Sequence, residues 1–302
     1  MKSTRQNQWN VPKGGLFVAL ISAMTGCENE QAFTEIKFER IAIATGDFDR
    51  AEEFLTRNEI ASTPFEGFIV QSVYDEETDP DSITLKTETL FTGTDDDGDP
   101  EINGFQAVFV DSGTRGFGEY VYNGVEEDDD LLTNSLTAKH VEGFLDNGGT
   151  LVVSDWGYDL IELVWPDAIT FLNEDEGVDA AQVGASSSII ADVVDEELAL
   201  ALDNDQLEVS FDFTYWTVME SVSPNVDVYL TGSGEARVDD GEGYTDVDNI
   251  PLLVGFDAGG GRVIFSTFAW KAQNPSVTDA ILLHLIEGLD PGGSNSEDTG
   301  SD

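Results

Sequence analysis

The stretch Phe105-Gln-Ala-Val-Phe-Val-Asp111 decides the fold. It is nearly continuous in apolar residues and ends on an acid. Such an unbroken run suits a strand buried on both faces of a parallel sheet; a strand with one wet face alternates apolar and polar residues instead. Thr150-Leu-Val-Val-Ser154 repeats the pattern and is likewise followed by an acid, Asp155. Between the two, Leu131–Leu145 reads as a helix with Leu132, Leu136, Val141, Phe144 and Leu145 as its apolar stripe. Asn147-Gly148-Gly149 ends it, because glycine takes the positive φ of a helix terminus without strain. Asp155 is placed to cap a following helix through Leu163. Strand, helix, strand, helix in this order predicts an α/β fold: a mostly parallel sheet flanked by helices.

Upstream, Lys37–Thr45 reads as a strand, with Ile41 and Ile43 β-branched. Gly46-Asp47-Phe48-Asp49 turns the chain, and Asp49 is placed to cap a helix from Arg50 to about Asn58 with Glu52 and Glu53 in its first turn. Phe68–Val73 and Ile83–Phe91 read as further strands. The C-terminal half is richer in β-structure. Leu207–Phe213 and Val226–Leu230 read as strands, and Pro251–Asp257 and Arg262–Phe268 flank the hairpin signal Ala258-Gly-Gly-Gly261. Ser276–Leu289 is a last helix, with Ser276 as its expected cap and Asp279 three residues on. One domain is expected over 37–289. Residues 290–302 cannot bury anything and read as a disordered acidic tail.

The chain has 302 residues, 40% of them hydrophobic, enough for a globular core. It carries 61 Asp+Glu against 13 Lys+Arg, a formal charge of −48. That balance excludes nucleic acid as a partner, which requires clustered cations to displace counterions. Its acids run along the whole chain, so most form a solvated surface whose self-repulsion weakens as salt is added. The start is different. Residues 1–13 hold Lys2, Arg5 and Lys13 and no acid, then comes the apolar run Leu16–Met24 and Thr25-Gly26-Cys27. A positive segment, a short apolar run and small residues describe a secretory signal over 1–26. The run is shorter than the about 20 residues of a bilayer span. Met24-Thr25-Gly26-Cys27 resembles a bacterial lipobox, and Cys27 is the single cysteine. That resemblance implies cleavage before Cys27, lipidation of Cys27, a tether over 27–36 and attachment to the membrane of the cell envelope. Glu28 in place of Asp makes the outer membrane the default in a Gram-negative cell. Each buried acyl CH₂ contributes about 0.8 kcal/mol to such an anchor.

At Leu136–Asp155 and Gly259–Leu289 the chain resembles the class I glutamine amidotransferase-like fold, broadly taken to include trehalose-utilisation-type and flavodoxin-like domains. The carrying features are the helix ending in Gly148-Gly149, the strand Leu151-Val-Val-Ser154 with its Ser154-Asp155-Trp156 turn, and Gly260-Gly-Arg-Val-Ile-Phe-Ser-Thr-Phe268 leading into a helix. Active members of that family carry a nucleophilic Cys on a strand-to-helix elbow, served by a His after a late strand. Here the elbow falls at Ser154 or Asp155 without flanking glycines, and Phe268-Ala269-Trp270 offers no His. The resemblance with these departures implies a scaffold that has lost its reactive groups.

Ligands of open α/β sheets bind outside the carboxyl ends of the strands. Asp111, Ser112, Ser154, Asp155 and Trp156 follow two such ends and are the candidate ligand-binding set for a small molecule, glycan or protein. The same residues also read as a helix cap and sheet packing. Ser154 as a nucleophile needs a base, and the chain has only His140 and His284, both on apolar helix faces. A divergent hydrolase acting on carbohydrate or peptide would use Ser154 or the pair Asp111 and Asp155. Asp95, Asp97, Asp99 and Glu101 are spaced to wrap a hard cation such as Ca²⁺. Pro100 stands where such loops turn on Gly, and Gln106 where they end on Glu, so an acidic solvated loop is the other reading. A calcium-dependent surface protein is the corresponding third role. Tyr215, Trp216 and Trp270 serve either to stack sugar rings or to pack the core.

Overall fold

The computed structural model describes residues 40–67, 85–117, 121–122, 125–126, 130–172, 183–185, 187–211, 216–237 and 243–287. The signal, the tether, the acidic tail, the expected strand Phe68–Val73 and Tyr215 lie outside the described residues. The first half runs β1 Ile41–Ala44, α1 Ala51–Arg57, β2 Thr63–Phe65, α2 Thr87–Thr92, β3 Ala107–Val110, β4 Val121–Tyr122, β5 Val125–Glu126, α3 Asp130–Thr133, α4 Ser135–Asp146, β6 Thr150–Ser154 and α5 Tyr158–Val164. The second half runs β7 Ile169–Phe171, β8 Ser187–Val193, α6 Glu196–Leu202, β9 Gln206–Phe211, β10 Met219–Val222, β11 Asp227–Arg237, β12 Tyr244–Ala258, β13 Gly261–Ser266 and α7 Pro275–Glu287. Among the described residues no helix is long and apolar enough to cross a membrane.

Nine strands form one sheet in the order β2-β1-β3-β6-β13-β12-β11-β8-β9. The first five are mutually parallel. The remaining pairings are antiparallel. The chain leaves β1 for β2 on one side and returns to β3 on the other, so the strand order reverses between β1 and β3. Ala107 and Phe109 of β3 join a core with α1, α6 and α7, while Val108 and Val110 join a second core with α2, α4 and α5. The sheet is the middle layer of three. This is why the apolar runs are unbroken: both faces of the parallel strands are dry.

The β12–β13 hairpin closes where expected, with Ala258 opposite Gly261 and Gly259 at φ +59°. Gly148 ends α4 at φ +86°. Three expectations give way. Ile83–Phe91 is not a strand: its described part holds α2, which puts the adjacent Leu90 and Phe91 into one core, whereas neighbours in a strand point to opposite faces. The helix over 131–145 is two helices, divided at Asn134, whose carboxamide accepts the Leu136 N–H at 3.0 Å, and Leu136 is exposed. The cap of α7 is Asn274 rather than Ser276: its side chain accepts the Ser276 N–H at 3.1 Å, with Pro275 at the first helical position. Asp279 instead pairs with Arg57 of α1 at 2.8 Å.

Candidate functional site

The carboxyl ends of β1 and β3 lie side by side, and the loops leaving them touch backbone to backbone. Phe48 N–H donates to the Ser112 carbonyl at 3.0 Å, and Asp47 N–H to the Gly113 carbonyl at 3.3 Å. Gly46 makes this approach possible, since a Cβ there would stand 2.3 Å from the Ser112 oxygen. Gly113, at φ +78°, carries the Phe48 ring against its own α-carbon. The crevice in which open α/β sheets hold ligands is therefore closed by the chain itself.

Under these loops lie carboxyl groups. Asp49 does not cap α1. It accepts the N–H groups of Arg50, Trp270 and Lys271 at 2.8, 2.9 and 2.9 Å, which ties the β1 loop to the segment between β13 and α7. The Ser154 hydroxyl adds a further hydrogen bond to it. Asp111 accepts the Ala51 N–H at 3.2 Å through Oδ1, the Gly46 N–H also favours its ionised form, and its Oδ2 makes no well-aligned hydrogen bond among the described residues. Asp155 accepts the Thr217 N–H at 2.9 Å through Oδ1 and bonds the Ser112 hydroxyl at 3.2 Å through Oδ2. It fastens the segment before β10 and does not cap α5, which no side chain caps.

Burial governs the protonation of the group. It pushes the Asp155 carboxyl up to about 8, with the Asp49 charge adding to the rise against the bonds from Thr217 and Ser112. Glu52 is pushed up to about 7, again by burial first. Asp111 rises well above the carboxylate range through burial, then repulsion from Asp49 and Glu52. Burial raises Asp49 as well, against its several backbone donors. A carboxyl sealed from water favours its neutral form, and several sealed together cannot all ionise.

The structure brings Asp111, Ser112, Ser154 and Asp155 together, all at most 2% exposed. Ser154 Oγ accepts the Ser112 N–H at 3.0 Å. No histidine hydrogen-bonds it among the described residues: His140 is buried on α4, and His284 lies 3.9 Å from Asp195. Trp156 is the partly exposed member, its ring 6.3 Å from that of Tyr158. Asp155 sits at φ +43°, in the left-handed region, at the junction of β6 and the turn before α5. The elbow therefore exists, and its glycine is Gly157, two residues on, where a Cβ would meet the Val153 side chain at 2.6 Å. The flanking-glycine pattern is half present about Asp155, which corrects the expectation that neither Ser154 nor Asp155 has a flanking glycine.

Asp95, Asp97, Asp99 and Glu101 do not gather around a cation site. Asp95 Oδ1 accepts the N–H groups of Asp97 and Asp99, both at 3.0 Å, and closes an exposed turn on itself. Among the described residues no group of three or more His, Cys, Asp or Glu is arranged to hold a metal ion. Trp216 and Trp270 are buried; Trp216 stacks on Phe211 at 4.1 Å and donates to the Ala185 carbonyl. Asp49, Glu52 and Thr217 are the members that reading the sequence missed. A signal for the acids was present: β1, β3 and β6 are each followed within five residues by an Asp.

No family model matches the chain, and no curated protein does. Among solved structures it is similar to a cytoplasmic protein from Salmonella typhimurium, at 12% identity and TM-score 0.47, over 82% of this chain and 97% of that one. It is similar to a ThuA-like protein from Bacteroides uniformis, at 9% identity and TM-score 0.45, over 82% and 89%. It also resembles a β-galactosidase from a Rahnella species, at 10% identity and TM-score 0.43, over 85% of this chain and 32% of that one. The likeness is one of architecture alone and assigns neither a family nor an activity to this chain.

Proposed function

We propose that the chain is a lipid-anchored cell-envelope protein whose α/β domain binds a small molecule, glycan or protein partner and catalyses no reaction. The observation that carries the non-catalytic part is the burial of Asp111, Ser154 and Asp155, at 1%, 2% and 2% exposure. A nucleophile must meet its substrate and a base, and a pair of glycosidase carboxyls must flank a sugar. These groups face one another and the backbone instead. The elbow of the fold is kept, with its left-handed residue and its close-packed glycine, while the residue on it serves as an internal fastener. Recognition then falls to the outer surface of the same loops, where Trp156 is partly exposed. The lipobox-like Met24–Cys27 supports the anchor.

Expression in a bacterium fed labelled palmitate tests the anchor. The wild-type chain is expected to take up label and sediment with membranes, and Cys27→Ser to lose both. An unlabelled, soluble mature chain with a free Cys27 thiol would contradict the assignment.

A further inference from the structure

We infer that the carboxyl groups of Asp49, Glu52, Asp111 and Asp155 form a proton-binding site that fastens the two halves of the fold, closed while it holds protons and loosened when it gives them up. Four observations carry this. Asp49, Asp111 and Asp155 follow the neighbouring ends of β1, β3 and β6 and are at most 2% exposed, and Glu52, half-buried on α1, lies near enough to repel Asp111. Among the described residues no Lys or Arg side chain hydrogen-bonds any of the four. Asp111 Oδ2 and Glu52 Oε2 are buried without a well-aligned hydrogen bond, which for an ionised carboxylate is the costlier state. Finally, the bonds the cluster does make reach across the molecule. Asp155 holds Thr217, 62 positions away, and Asp49 holds Trp270, 221 positions away.

The charged groups facing the cluster are few. Arg50 partly offsets Glu52, whereas Glu53 and Asp49 oppose its ionisation. Lys271 meets Asp49 through its backbone N–H. The nearby charges are thus mostly acidic, and each proton lost leaves a like charge beside those already present. Buried like charges are poorly screened, so their mutual repulsion works against the packing that brings these acids together, even though the N–H groups of Thr217 and Trp270 favour the ionised form.

The sign follows from linkage. A carboxyl raised in the folded state stabilises the fold fully below its ordinary range near pH 4. It loses that contribution as pH climbs through its folded value, about 7 for Glu52 and about 8 for Asp155. Each proton held only by the native state makes unfolding about tenfold easier per pH unit over that interval.

Thermal unfolding of the full chain from pH 5 to 9 in molar NaCl tests the proposal, because salt screens the acidic surface and spares the interior. The wild type is expected to lose melting temperature steadily over this range. Asp111→Asn and Asp155→Asn are each expected to flatten the profile by about one power of ten in the unfolding constant per pH unit. A wild-type profile flat in molar salt would overturn the proposal, as would folded variants that keep the wild-type slope. Should both variants fail to fold, the infrared carbonyl band of protonated carboxylic acid in the native wild type decides. Its presence at pH 7 and its weakening by pH 9, as Glu52 and Asp155 give up their protons, supports the site, and its absence at pH 7 or an intensity unchanged at pH 9 overturns it.

Discussion

The parallel strands and the outer antiparallel strands of the sheet are built on opposite terms. In β1, β3 and β6 every residue is buried, and each strand is followed within five residues by an acid that is buried too. In β8, burial alternates along most of the strand, with Ile189, Ala191 and Val193 inside and Ile190 61% exposed. The outermost strand, β9, has a different task, since an unpaired strand edge invites another chain. The Gln273 carboxamide stands in for a missing strand there: it accepts the Ser210 N–H at 2.9 Å and donates to the Ser210 carbonyl at 2.8 Å. Asn204 takes the Gln206 N–H at 3.3 Å. The parallel strands are stabilised by burial on two faces, as is the middle of β12, and the outer strands β8 and β9 by one dry face and a guarded border.

The largest expected effect breaks the parallel half. Phe109 packs against Phe54 with ring centroids 6.4 Å apart and is sealed between β1 and β6. Phe109→Ala is expected to cost about 3–5 kcal/mol in urea unfolding, from lost burial and the cavity left behind. Ile190→Ala on the solvent face of β8 is expected to cost under about 0.5 kcal/mol. Equal costs would erase the distinction between the two sets of strands.

A smaller effect sharpens the other side. Gln273→Ala removes the Ser210 bonds and the bond to the Ala269 carbonyl, and is expected to cost about 1–2 kcal/mol in the same unfolding measurement. The bared edge is also expected to favour self-association in sedimentation. An unchanged midpoint would mean that β9 needs no such guard.

These differences explain what the sequence disclosed. Phe105–Asp111 and Thr150–Ser154 were legible because strands dry on both faces write themselves as unbroken apolar runs. The Gly259-Gly260 turn was legible because only glycine suits it so well. The strand β8 was not, since Ile189 and Ile190 stand together and interrupt the alternation that marks a half-buried strand. The caps failed for a related reason. Asp49 and Asp155 precede helices, so local rules assign them to those helices, yet their partners are the N–H groups of Trp270 and Thr217. Nothing local announces a donor so far along the chain. Within the candidate site, Asp111, Ser112, Ser154 and Asp155 were found through their places at strand ends, and their inward direction only through the fold.

Native-state hydrogen exchange at the amides of Ala51, Thr217, Trp270 and Lys271 tests the central claim most directly, because these are the donors held by Asp111, Asp155 and Asp49. At pH 6 they are expected to exchange only with unfolding of the whole domain, as slowly as the centres of β3 and β6. Exchange at these four amides many powers of ten faster than in the strand centres would mean that the carboxyl ends open to solvent, and the sealed cluster would have to be given up for an accessible site.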